Sequence, residues 1–185
     1  GWEVRCIGEL SRNDGDYGSG AAAREYSRDL PRYVRITDIR EDGRLDPGSR
    51  RSITRLEAAG YYLENGDLLF ARSGATVGKT YLYQESDGEC AHAGYVIKYS
   101  LDTEKCHPRF VFYWTQGETY WSWVESTLRQ GAQPNINAGE YRKSLLVYPP
   151  LREQRRIIEV LGSHDANIAA CEAAVHKRRQ VKQGL

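Results

Sequence analysis

The fold class this sequence predicts is α+β. A head built on a mixed or antiparallel sheet with helices spans residues 1–148, and a long helix of coiled-coil type spans 149–185. Three observations predict it. Short β-branched or aromatic segments bounded by Gly, Asp or Ser recur through the first hundred residues. A run of aromatic and aliphatic residues near helical spacing follows His107-Pro108. After Pro149-Pro150 the composition shifts to Ala, Glu, Arg, Lys and Gln, with Gly162 and Gly184 the only glycines.

The strands come first. Val34 to Ile36, Leu68 to Phe70, Thr80 to Tyr83 and Tyr95 to Tyr99 read as strands, and Glu41 to Arg50, with its Asp-Gly and Pro-Gly pairs, reads as turn. Pro108 suits a first helical position. Phe110, Trp114, Trp121, Val124 and Leu128 then predict one helix over about 108–127 with its aromatics in the core. A loop from Arg129 to Gly139 and a last strand from Ser144 to Tyr148 complete the head. Pro149 and Pro150 stop that strand because neither donates a backbone hydrogen bond. Alternate steps of four and three from Ile157 meet Leu161, His164, Ile168, Cys171, Val175 and Arg178, a heptad seam with polar residues in it. A continuous helix there would be about 50 Å long. Its apolar stripe is too narrow to bury itself, and Gly162 is a candidate break.

Composition excludes several classes. No apolar run approaches the roughly 20 residues of a membrane helix, and the opening GWEVRCIGEL lacks the basic and apolar blocks of a secretion signal. Cys6, Cys90, Cys106 and Cys171 are scattered, which predicts reduced thiols rather than a disulfide framework. Net charge is +1, yet nine Arg, no Lys and six acids fall between Arg24 and Arg55. A guanidinium fork grips phosphate or guanine in a way an ammonium does not; with acids interspersed, the same run also describes a solvated face.

Gly74-Ala-Thr-Val-Gly78-Lys79-Thr80 approaches a phosphate-binding loop but has three residues where that loop needs four. The segment after it reads as strand, not as the helix that would hold phosphates. It is read as a tight turn between strands, with Lys79 and nearby amides able to face a DNA phosphate. Cys90-x-His92 and Cys106-His107 lack a standard zinc spacing, so no metal site is predicted. No nucleophile, paired-carboxylate or cofactor signature is recognisable, which points to a binding module.

Five segments in order carry a family resemblance. They are Trp2 to Leu10; Tyr33-Val-Arg-Ile-Thr-Asp38-Ile39; Asn65-Gly-Asp-Leu-Leu-Phe-Ala-Arg72-Ser-Gly-Ala-Thr-Val-Gly78-Lys79; Gln133-Pro-Asn135-Ile136; and Pro149-Pro150-Leu-Arg-Glu153-Gln154-Arg-Arg-Ile157-Ile158. Over nearly its whole length the chain resembles one half of the specificity subunit of type I restriction-modification enzymes: one target recognition domain and one connecting helix, where complete subunits carry two of each. The resemblance implies sequence-specific binding of double-stranded DNA, each recognition domain reading half of a split site. It implies no catalysis and no cofactor in this chain. Methyltransferase subunits, binding S-adenosylmethionine themselves, and a restriction/translocase subunit are the implied partners. A second copy joined through the C-terminal helix is a further candidate, and the implied location is the cytoplasm. The alternative is a protein-interaction adaptor that dimerises through that helix.

Polar residues on the loops are the expected DNA contacts: Arg24, Tyr26, Arg35 and Thr37 around the first strand; Arg72, Ser73, Thr76 and Lys79 on the glycine hairpin; Gln130, Gln133 and Asn135 on the late loop. Amides there suit adenine edges. Asn135 is also a candidate cap for a short helix near Gly139. Ile157, Leu161, Ile168, Cys171 and Val175 are the expected helix interface.

Overall fold

The structure, a computed structural model, describes residues 1–128, 133–182 and 184. The strands among them are β1 (Glu3–Cys6), β2 (Asp16–Tyr17), β3 (Arg24–Glu25), β4 (Arg32–Val34), β5 (Arg51–Ser52), β6 (Asp67–Ala71), β7 (Thr80–Leu82), β8 (Cys90–His92), β9 (Val96–Ser100) and β10 (Leu145–Tyr148). The α-helices are α1 (Arg55–Ala58), α2 (Pro108–Thr115), α3 (Glu118–Thr127), α4 (Ala138–Arg142) and α5 (Leu151–Lys182). The class is α+β, with a long C-terminal helix.

The head is organised around β6. It lies inside the sheet β2-β9-β6-β7, antiparallel throughout, with Leu68 opposite Tyr99 and Leu82, and Phe70 opposite Ile97 and Thr80. All five of its residues are buried. Side chains of a strand alternate between faces. Leu68 and Phe70 therefore enter one core with Ile97, Tyr99, Phe110, Tyr120 and Tyr141 on the helical side. Leu69 and Ala71 enter a second with Val34, Tyr81 and Val96. A strand covered on both faces reads as an unbroken apolar run, and Leu68 to Ala71 is one. The second core is closed by the sheet β3-β5-β4-β8, mixed because β4 and β8 run parallel.

The strand predicted at Val34 to Ile36 sits earlier, at Arg32–Val34. Ile36–Asp38 is a 3-10 turn, because the Asp38 carboxylate accepts from the Arg35 amide at 2.9 Å and closes the chain on itself. The single helix predicted over about 108–127 is two. It breaks at Gln116 and Gly117, where the Gln116 amide nitrogen donates to Thr80 Oγ1 at 2.8 Å and Gly117, extended at ψ 160°, starts the next helix. Trp114 and Tyr120 meet edge to face across the break, 5.1 Å apart.

A separate ribbon of β1 and β10, pairing Val4 with Val147, brings the chain's start beside the start of α5. There Trp2 Nε1 donates to Glu153 at 2.8 Å. Gln154 is fully buried; its side chain accepts from the His107 amide at 2.9 Å and donates to the Pro149 carbonyl at 2.8 Å. Ile157 and Ile158 pack on the helical-side core. No break occurs at Gly162. The helix passes under Tyr113, whose hydroxyl donates to Asp165 at 2.7 Å. Over its 32 residues α5 spans about 48 Å. Ile157, expected in the seam, is taken by the head, while Leu161, Ile168 and Val175 stay 38%, 53% and 49% exposed and Cys171 is exposed too. No described helix is long and apolar enough to cross a membrane.

Candidate nucleic-acid interface

The glycine hairpin between β6 and β7 is held from below by two tyrosines. Gly78 donates to Tyr141 Oη at 3.1 Å, its carbonyl accepts from Tyr120 Oη at 2.8 Å, and Tyr141 Oη donates to the Ala71 carbonyl at 2.8 Å. Burial pushes both hydroxyls far above their ordinary range, so they stay neutral donors. Gly78 has φ +88°, and a Cβ there would lie 2.9 Å from Val124 and 3.0 Å from Trp121. The loop therefore needs glycine both for its backbone and for close approach to α3. Thr80 starts β7 directly after it, so the GATVGK amides line a strand-to-strand turn.

The late loop is clasped onto this hairpin. Gly74 donates to the Pro134 carbonyl at 3.0 Å, Ile136 donates to the Arg72 carbonyl at 2.8 Å, and Ser73 bridges Asn135. Buried Ile136 anchors the loop. Asn137, not Asn135, caps α4: its Oδ1 accepts from the Glu140 amide at 3.0 Å while the Glu140 carboxylate accepts from the Asn137 amide at 2.8 Å. Gln133 and Asn135 are exposed. Gln130 lies outside the described residues.

The turn before β9 adds the next piece. Arg72 donates its amide proton to the Tyr95 carbonyl at 3.1 Å, and its guanidinium lies 4.8 Å from the centre of the Tyr17 ring. Tyr95 is 63% exposed. Beyond it opens a cleft of about 350 Å³ lined by Gly20, Ala21, Tyr33, Thr37, Gly94 and Tyr95, with Arg35 at its wall. Arg72, Ser73, Thr76, Gln133 and Asn135 thus converge, and Tyr95 links them to exposed Thr37. Ser73 is buried, and the Thr76 hydroxyl turns to the Ser73 carbonyl at 3.4 Å. Lys79 is half-buried, and its carbonyl accepts from Ala71 at 2.8 Å. Arg24 and Tyr26 stand past the cleft's Ala23 rim. Arg24 pairs with Glu57 at 3.4 Å, and Tyr26 lies under Arg50 at 5.4 Å.

Arg35 is held internally: its Nη2 and Nε donate to Asp38 at 2.7 and 3.2 Å, and Nη2 also reaches the Ser49 carbonyl at 2.8 Å. Five of the nine arginines in the run are neutralised by a carboxylate. Arg24, Arg35, Arg40, Arg44 and Arg55 pair with Glu57, Asp38, Asp42, Glu172 and Glu89, and Arg32 is buried against the Asp46 carbonyl. Tyr17 and Tyr95 were not singled out from sequence. Tyr17 ends the two-residue edge strand β2 and Tyr95 lies in the turn before β9, and nothing in either short segment marks a platform.

Cys90 lies in the core toward the second sheet and Cys106 in the core toward the helices, so the two Cys/His pairs do not meet. Burial pushes both thiols up to about 12, which keeps them protonated. His92 Nδ1 faces the Tyr61 carbonyl at 3.0 Å, and His107 Nδ1 accepts from Arg109 at 3.3 Å. Among the described residues no three His, Cys, Asp or Glu side chains are grouped to hold a metal ion.

The family described as type I restriction modification DNA specificity domain matches residues 1–178. No curated protein matches the chain. Among solved structures, the HsdS subunit from Thermoanaerobacter tengcongensis is similar over 98% of this chain and 47% of its own, at 20% identity and a TM-score of 0.66. The type I restriction-modification system S subunit from M. genitalium is similar over 97% and 43%, at 15% identity and a TM-score of 0.62. A chain from a study of complex assembly and conformational transition of the type I R-M system matches over 96% and 46%, at 20% identity and a TM-score of 0.66. The chain therefore spans slightly under half the length of these structures, which share its fold. With the match running from the first strand through most of the long helix, the chain belongs to the family of type I restriction-modification DNA specificity domains.

Proposed function

We propose that this chain reads one half of a split DNA site and brings a methyltransferase to it without performing chemistry itself. The observation that carries the reading is the clasp between the glycine hairpin and the late loop, which fixes Gln133 and Asn135, both exposed, beside Arg72. Amide side chains on a rigid support suit adenine edges, and a cation beside them suits phosphate or guanine. The family match supports DNA as the ligand. In this reading α5 is the spacer, and its exposed stripe of Leu161, Ile168, Cys171 and Val175 receives a partner helix, from a methyltransferase subunit, a further part of the specificity subunit or a second copy. S-adenosylmethionine is bound by the methyltransferase, a restriction/translocase subunit joins the assembly, and the complex acts in the cytoplasm.

The test is co-expression of the chain with its cognate methyltransferase subunit, followed by mapping of methylated adenines in host DNA. A single split motif, changed or lost in Gln133→Ala and Asn135→Ala, is the expected result. A palindromic motif would identify a dimer of half-subunits. A stable complex lacking salt-dependent DNA affinity would instead make the chain an adaptor.

A further inference from the structure

Arg72 differs from the arginines around it. Its backbone is gripped on both sides, the amide by the Tyr95 carbonyl and the carbonyl by the Ile136 amide. Its guanidinium lies 4.8 Å from the Tyr17 ring centre and forms no ion pair among the described residues, whereas Arg24, Arg35, Arg40, Arg44 and Arg55 each hold a carboxylate. Nε is enclosed without a hydrogen-bond partner, while the two terminal nitrogens reach solvent and have none. Tyr17 is itself pinned: its strand pairs with β9 through Ile97, and its hydroxyl accepts from the Ala138 amide at 3.2 Å. The ring thus ties together β2, the hairpin and the start of α4. Arg50 over Tyr26 is looser, at 5.4 Å, and lines a different cleft, with Arg44, Tyr81 and Asp165.

We infer that Tyr17 is a positioning residue for recognition. It stacks the Arg72 guanidinium in one plane, so that the free edge meets a pair of acceptor atoms on DNA, either guanine O6 and N7 or two phosphate oxygens. The inference rests on the DNA-reading function proposed above. Stacking on an aromatic face lowers the entropy lost when a guanidinium makes a bidentate contact, and it leaves the hydrogen-bonding edge free. An unpaired cation is also spared the breaking of an internal ion pair on binding.

The experiment uses the full chain in complex with its methyltransferase. Binding is measured against a duplex carrying the mapped motif and a shuffled duplex of equal length, between about 50 and 200 mM salt. Arg72→Ala and Tyr17→Leu should each weaken binding to the motif, Tyr17→Leu by roughly two- to thirty-fold. The double variant should be no weaker than Arg72→Ala, and Tyr17→Phe, which keeps the ring but loses the Ala138 bond, should lose less than Tyr17→Leu. Relaxed preference at one base pair would identify guanine as the contact. Equal loss on both duplexes, with a salt slope shallower by about one, would identify phosphate. If Tyr17→Leu does not assemble, Arg72→Lys carries the test, since lysine keeps the charge but not the stacked fork, and it should also bind more weakly than the wild type. Wild-type binding by Tyr17→Leu or by Arg72→Lys would overturn the inference. So would full additivity in the double variant, or a Tyr17→Phe loss equal to that of Tyr17→Leu. A wild-type complex with no salt-dependent DNA binding would overturn the underlying function as well.

Discussion

Arg35 and Asp38 form a closed unit: three donors of one residue, its amide, Nε and Nη2, converge on the carboxylate of the other, which is fully buried. Removing the arginine leaves a buried carboxylate without its cation. Arg35→Ala is therefore expected to lower stability by about 2 kcal/mol, discounted for the partial exposure of the guanidinium. A denaturant midpoint equal to the wild type would reject this bracing role. His92 offers a pH test. It is fully buried, and desolvation first of all lowers its pKa. A neutral ring has one N–H, and the Tyr61 carbonyl at 3.0 Å lies nearer than the Asp16 carbonyl at 3.4 Å. Because the folded pKa lies below the unfolded one, both states are neutral above the ordinary value of about 6.5, and His92 costs no stability there. As pH falls below that value the unfolded chain takes up a proton that the folded chain refuses, and stability drops. His107, shifted the same way, adds to the slope. Urea unfolding at about pH 7.5 and about pH 5 should show the decline, and His92→Gln should flatten it.

At the scale of elements, two glycines make opposite predictions. Gly78 ends the hairpin in a left-handed conformation against Val124 and Trp121. Gly78→Ala meets both the backbone strain and the clash, and should cost about 2 kcal/mol or more. The shift would propagate through Tyr141 to Ala71 and loosen the clasp with the late loop. Gly162 lies inside α5, where an added Cβ meets only the Tyr113 hydroxyl at 3.7 Å, an ordinary contact. Gly162→Ala should therefore raise stability by about 0.5–1 kcal/mol through helix propensity. Thermal unfolding of the two variants checks both signs. A destabilising Gly162→Ala would mean that the close passage under Tyr113 leaves no room for a methyl.

For the molecule as a whole, α5 has two parts. Its first two turns pack into the head through Gln154, Ile157 and Ile158, and beyond them its side chains are mostly exposed and meet the head through polar contacts, Asp165 with Tyr113 and Glu172 with Arg44. A chain ending at Ala166 keeps the Gln154 bonds and the Tyr113–Asp165 contact, losing the exposed Arg44–Glu172 pair, which contributes little. Its unfolding free energy should match that of the full chain within about 0.5 kcal/mol. A chain ending at Leu151 loses the buried Gln154 bonds and the isoleucine packing, and should be weaker by about 2–4 kcal/mol. Equal midpoints for the two truncations would show that the helix start is not part of the head's core.

The class, the central strand, the hairpin and the long helix were legible in the sequence, because each is a local pattern. An apolar run, glycines at a turn, a Pro-Pro stop and helix-forming composition act on neighbours in the chain. The division of helix 108–127 was not legible, since it follows from Gln116 reaching Thr80, 36 residues away. Nor was the engagement of Arg35: as a residue type it suits DNA, and only the nearby fold of Asp38 and Ser49 turns it inward. Tyr17 and Tyr95 join the candidate site because tertiary structure sets β2 and β9 beside the hairpin. The tertiary structure alone decides which arginines are neutralised and which stay free. Charge pairing depends on distances of a few ångströms between segments far apart in sequence, and hydrophobic spacing carries no record of them.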